Sequence, residues 1–121
     1  MEAELVKTFR FEAAHSLPSV PDGHKCRRLH GHGYRVDVHV KGRSDAKTGW
    51  VMDFGEIKKV VEPILDELDH RCLNEIPGLA NSTSETLCVY LWDRIAPGLG
   101  NLSAITVWES NTSRCIYRGK E

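Results

Sequence analysis

The sequence predicts an α+β fold, an antiparallel four-stranded sheet with two helices on one face in the order ββααββ. Three patterns carry this expectation. Apolar and polar residues alternate from His30 to Val40, the two-residue period of a strand with one buried face. Two later stretches space their apolar residues at i, i+3, i+4 and i+7, as amphipathic helices do. A closing segment rich in Ile, Thr, Val, Trp and Tyr is broken once by a turn, as a hairpin is. Helices grouped between two strand pairs suit a layer on an antiparallel sheet.

The first strand is read from Leu5 to His15, where Leu5, Phe9, Phe11 and Ala13 hold odd positions and Thr8, Arg10 and Glu12 even ones. Lys7 interrupts the pattern. Pro18, Pro21, Asp22 and Gly23 then mark a loop leading to Cys26. In the second strand His30, His32, Tyr34, Val36, Val38 and Val40 share a face, and Gly31 and Gly33 leave the opposite face bare at that end. Ser44 to Gly49 reads as a turn, with Trp50 to Met52 as a short return strand. The first helix has Asp53 as N-cap and Glu56 three residues on. Its stripe is Ile57, Val60, Val61, Ile64, Leu65 and Leu68, and Pro63 is expected to kink it. The second helix is predicted to start near Ser82, with Glu85 three residues later, to carry Leu87, Tyr90, Leu91 and Ile95, and to stop at Ala96 before Pro97. Leu102 to Trp108 and Ser113 to Arg118 form the last hairpin around a turn at Ser110 to Thr112.

At 121 residues the chain suits a single domain over 1–121. Sixteen basic residues against 17 acidic ones leave a net charge of −1, so no whole-molecule field draws the protein to nucleic acid or an anionic membrane. Any anionic partner must be held locally. No stretch approaches the roughly 20 apolar residues of a membrane span, and the N-terminus lacks the basic-then-apolar signature of a signal peptide. A cytoplasmic protein is expected. The N-x-S/T patterns at Asn81, Asn101 and Asn111 are short enough to recur by chance. Cys26, Cys72, Cys88 and Cys115 form no CxxC pair, so free thiols are expected.

Two histidines at i and i+2 on one strand point the same way and can reach a single ion. His15, ending the other strand, can supply a third ligand if the two strands pair. His15, His30 and His32 are therefore the candidate metal site, zinc being the expected ion, with a fourth position open. Cys26 lies four residues before His30, where a nearby cation would stabilise its thiolate; it is equally placed to be a fourth ligand of a closed, structural site. In the Asp69-His70 pair a carboxylate can orient an imidazole and tune it for acid/base work near neutral pH. Glu109 shares its strand parity with Ile105 and Val107, and an inward carboxylate needs a partner; a guanidine-like edge offering two N–H donors would satisfy it. Lys25, Arg27 and Arg28 make a short basic run beside Cys26.

Cys26-Arg-Arg-Leu-His30-Gly-His32, His15 in FEAAH, Asp69-His70 in LDH, and Glu109 in VWES followed by CIYRG together resemble the 6-pyruvoyltetrahydropterin synthase/QueD family. The resemblance runs from about Phe9 to Gly119. Within it, the three residues between Cys26 and His30 are of the 6-carboxytetrahydropterin synthase (QueD) kind, whereas 6-pyruvoyl enzymes have a longer spacing. A third branch, with glutamate in place of the cysteine, differs from this chain. The resemblance implies a tunnelling fold (T-fold), whose subunits join their sheets into a barrel and stack as a homohexamer, a dimer of trimers, with active sites between subunits. It implies conversion of a small-molecule pterin triphosphate, 7,8-dihydroneopterin triphosphate, to 6-carboxytetrahydropterin with loss of triphosphate and acetaldehyde. It also implies Zn2+ on His15, His30 and His32, Cys26 as proton acceptor, Asp69 with His70 as the second acid/base, and Glu109 as anchor of the pterin ring. Lys25 is the candidate cation for the triphosphate. Asn111 stands where relatives often carry a cysteine.

Overall fold

The computed structural model describes residues 1–120. Strand β1 spans Glu2–His15 and β2 spans His30–Arg43. Helix α1 covers Phe54–Asp66, β3 is the two residues Arg71–Cys72, and α2 covers Ser84–Ile95. Strands β4, Leu102–Ser110, and β5, Ser113–Tyr117, close the chain. The α+β class is as predicted, but the sheet has five strands in the order β3-β1-β2-β4-β5. The addition is β3, which lies parallel to β1 through Ala13↔Arg71 and Ala14↔Cys72. Two residues are too few to leave an alternation in the sequence.

The predicted return strand from Trp50 to Met52 does not form. Strand β2 pairs instead with β1 along one edge and, from Arg35 to Val40, with β4 along the other. Asp45 closes the turn instead, its Oδ1 accepting from the N–H groups of Lys47 at 2.7 Å and Thr48 at 3.0 Å.

One face of the sheet is apolar and covered by both helices. Phe9, Phe11, Tyr34, Val36, Val38, Ile105 and Val107 on the strands pack with Ile57, Val61, Leu87, Leu91 and Ile95 on the helices. Burying each such side chain contributes about 1.5–3 kcal/mol. Helix α1 starts at Asp53, whose Oδ1 accepts from Gly55 N at 2.9 Å, and runs through Pro63. Helix α2 is capped by Thr83, whose hydroxyl accepts from Thr86 N at 3.1 Å. The start near Ser82 is thus corrected by one residue, and Ser82 takes another role described below.

The other face is polar and uncovered by helices. There Asp37 is buried, and its carboxylate accepts from Thr8 Oγ1 at 2.7 Å, Trp108 Nε1 at 2.9 Å and both arms of Arg35 at 3.1 Å. Arg35 and Arg114 also stack on the Trp108 ring. Burial opposes ionisation of Asp37, but the bonds from Arg35, Thr8 and Trp108 outweigh it and hold the carboxyl below its usual range. A depressed carboxylate stabilises the fold above its unfolded value near about pH 4 and loses that contribution as pH falls further. Asp37→Asn is therefore expected to melt lower at pH 7 and to lose less stability than the parent between pH 4 and pH 2. Thermal melts across that range check it, and equal acid slopes would contradict it.

Candidate metal centre and active site

The long β1–β2 pairing brings the candidate ligands together. His15 lies directly opposite His30, and Ala13 opposite His32, so His15 and His32 are diagonal neighbours. Strand parity sends all three imidazoles to the helix-covered face. Their ring centroids lie 4.6–5.0 Å apart, and one ligand atom from each falls within 4.8 Å of the others. Cys26 is not part of this group.

Two of the rings are oriented by backbone carbonyls. His15 Nδ1 is 2.9 Å from Ser82 O and 3.2 Å from Ser82 Oγ. His30 Nδ1 is 2.7 Å from Arg28 O. A carbonyl only accepts, so each Nδ1 carries the proton and donates it, leaving the Nε2 lone pair free. Metal-binding histidines commonly donate their other ring N–H to a carbonyl in this way, which fixes the tautomer and the ring orientation. Burial pushes the basicity of His15 and His32 below that of an ordinary imidazole, so both are neutral at pH 7, the form that binds metal. The donor set fits a metal ion that takes three nitrogen ligands and keeps one position open.

Tyr34 continues the inward row of His30 and His32, is 1% exposed, and sets its hydroxyl 3.4 Å from His15 Nε2. Burial and the nearby Glu109 charge raise its ionisation well above the usual phenol range, so it stays neutral. Glu109 lies at an irregularity in the β4–β5 pairing between Trp108 and Ser110. Its charge favours protonation of His15 and His32 and opposes ionisation of Tyr34. It lines a concavity of ≈ 310 Å³ with Ser84, Glu85, Ser113, Arg114 and Cys115. Ser84 and Glu85 are the first two residues of α2, and in the sequence Glu85 signals no more than a helix start.

Cys26 sits in a single helical turn, Lys25–Arg27, on the loop between β1 and β2. The loop is tied down by Leu17 N donating to Cys26 O at 2.7 Å and by Arg27 Nη1 donating to Pro18 O at 2.9 Å and Val20 O at 3.0 Å. Arg27 is thus committed to the loop. Lys25 and Arg28 are exposed, with no side-chain partner among the described residues.

Asp69 and His70 are bolted to β1 at Glu12. Glu12 N donates to Asp69 Oδ1 at 2.9 Å, and His70 N donates to Glu12 O at 2.6 Å. His70 Nδ1 then pairs with Asp69 Oδ2 at 2.9 Å, and the Asp69 carboxyl is held below its usual range by the Glu12 N–H first and by His70 second. His70 has φ of 59°, a left-handed conformation that a non-glycine residue adopts at a cost. Its ring is largely exposed and lines an open cleft of ≈ 500 Å³ with Glu12, Ala14, Gly31 and Gly33. These strand positions have the opposite parity to His15, His30 and His32. Within one chain, then, the dyad opens on the uncovered face of the sheet, into a cleft that His32 also lines.

A mostly antiparallel sheet backed by two helices, carrying three converging imidazoles that could hold a metal ion, defines an α+β protein with a candidate metal centre. The chain belongs to the 6-pyruvoyl tetrahydropterin synthase family, whose sequence pattern matches residues 4–120, and it is an enzyme of pterin chemistry. It is 39% identical to a 6-carboxy-5,6,7,8-tetrahydropterin synthase of Synechocystis over 93% of this chain and 91% of that protein. It is 37% identical to a dihydroneopterin monophosphate aldolase of Pyrococcus furiosus, over 92% and 93%. The solved structure of a Caenorhabditis elegans 6-pyruvoyl tetrahydropterin synthase superposes with a TM-score of 0.92 at 26% identity, covering 99% of this chain and 97% of that one. The T-fold expected from the resemblance is thereby shown. No helix among the described residues is long and apolar enough to cross a membrane.

Proposed function

We propose that residues 1–121 act as one domain that converts 7,8-dihydroneopterin triphosphate to 6-carboxy-5,6,7,8-tetrahydropterin, releasing triphosphate and acetaldehyde, in queuosine biosynthesis. The reading is carried by three imidazoles that each bring a ring nitrogen within 4.8 Å of the others, two of them with Nδ1 committed to a backbone carbonyl, while Cys26 stays outside the ligand group. A closed structural site would use the thiolate as its fourth ligand; an open one keeps that position for substrate. Zinc on His15, His30 and His32 would supply Lewis acidity, making protons beside a coordinated hydroxyl easier to remove.

The protein's own groups do the rest. Cys26 takes a side-chain proton as its thiolate, and His70, oriented by Asp69 through Nδ1, gives or takes one at Nε2. Glu109 accepts two N–H donors from the pterin edge. Lys25 and Arg28, free of internal partners, are the candidates for triphosphate contact. The assembly we read from the family resemblance is a cytoplasmic homohexamer, and two features support an active site completed between subunits. The dyad and the imidazoles open on opposite faces within one chain, and β5 has one sheet neighbour while β1 meets β3 only at Ala13 and Ala14.

The similarity to a monophosphate aldolase favours one competing reading, in which the true substrate is dihydroneopterin monophosphate. Purified, metal-quantified protein incubated separately with the triphosphate and the monophosphate decides between them by mass spectrometry of products. Acetaldehyde and the 6-carboxy product from the triphosphate are expected. A retained three-carbon side chain would instead indicate the 6-pyruvoyl activity, and turnover of the monophosphate alone would indicate the aldolase.

A further inference from the structure

Past its last ladder partner, β1 is held by a side chain. The parallel pairing of β1 with β3 ends at Ala14↔Cys72. Two residues further along each strand, the carboxamide of Asn74 replaces the backbone: its Oδ1 accepts from Ser16 N at 2.8 Å, and its Nδ2 donates to Ser16 O at 2.8 Å. The same Nδ2 donates to Ala80 O at 3.0 Å. One amide thus ties the residue after His15 to the segment that runs into α2. Two residues beyond Ala80 is Ser82, 0% exposed, whose carbonyl and hydroxyl both face His15 Nδ1. Leu73 and Leu79, each fully buried, anchor this segment on either side of the bridge.

We propose that Asn74 is a positioning residue for the metal centre: it fixes both the backbone that carries His15 and the chain that carries the acceptor of its Nδ1 proton. The proposal rests on the metal reading above. A carboxamide suits the task because it is the side-chain group that both accepts and donates in one plane, as a peptide does. When Asn74 is lost, Ser16 and Ala80 give up three bonds, and the His15 ring loses the fixed relation between its own strand and Ser82. Outer-shell partners of metal-binding histidines typically contribute 10- to 100-fold in metal affinity. Asn74 acts one step further out, through His15, so the lower end of that range is expected.

The test is zinc affinity of full-length protein by chelator competition, with the visible spectrum of the Co2+-substituted form reporting ligand geometry. Asn74→Ala is expected to bind zinc about tenfold more weakly and to show shifted, weakened Co2+ bands. Thr8→Ala, which removes a bond to Asp37 on the opposite face, should lower the melting temperature and leave both metal readouts unchanged. Should Asn74→Ala not fold, Asn74→Asp serves, since it keeps the acceptor for Ser16 N but loses both donated bonds; the same weakening is expected. Zinc affinity within twofold of the parent in a folded Asn74 variant, with an unchanged Co2+ spectrum, would overturn the proposal. Failure of the parent itself to bind zinc would overturn the metal reading, and is distinguished by that control.

Discussion

Cys26→Ala protein should keep its full complement of zinc and lose turnover by about 10²- to 10⁴-fold, the range for removing a positioned acid or base. The geometry separates these two effects. Cys26 stands outside the group of converging ligand atoms, so its thiol is not needed to hold the ion. Its loop is held by main-chain and Arg27 contacts that the substitution leaves in place. Loss of the thiol therefore removes a reactive group without releasing the turn that carries it. A closed structural site predicts the reverse: zinc lost, melting temperature lowered, and no turnover to lose. Metal content by elemental analysis, measured on the same preparation as kcat, decides the matter.

His30→Ala should purify nearly free of zinc and fall in kcat/KM by about 10²- to 10³-fold, since Lewis-acid stabilisation contributes several kcal/mol at 1.36 kcal/mol per decade. His30 is partly exposed at the start of β2, and among the described residues the only group its removal leaves without a bond is the Arg28 carbonyl beside it. The fold should therefore survive, with a circular dichroism spectrum matching the parent. Cys26 is not among the converging ligand atoms, so no thiolate stands ready to replace the lost imidazole. Retention of zinc and activity in this variant would show that the three imidazoles are not the metal centre.

Much of this site can be read in the chain. The His30-Gly-His32 spacing and the alternation that follows put two imidazoles and Tyr34 on one inward row, because a strand's period is two. The apolar stripes of α1 and α2 are equally plain, since each helix buries one face. Other features escape for definable reasons. Ser82, Thr83 and Ser84 are consecutive cap formers, and composition does not say which one caps; that depends on where the chain enters the helix. Thr83 takes the cap, which frees Ser82 to face His15. Strand β3 is too short to show a period, and Asn74 sits in a segment where an asparagine reads as an ordinary loop residue.

By itself, then, the sequence determined the helix stripes, the inward face of β2, and the identity of the residues able to bind metal or move protons. Local periodicity and side-chain chemistry suffice for these. Only the tertiary structure decided that His15 meets His30, since the 14 residues between them leave the register to the pairing of β1 with β2. It also decided that Asp69 and His70 open on the other face. Parity cannot be carried through a helix, and it is the two bonds to Glu12 that turn the dyad that way.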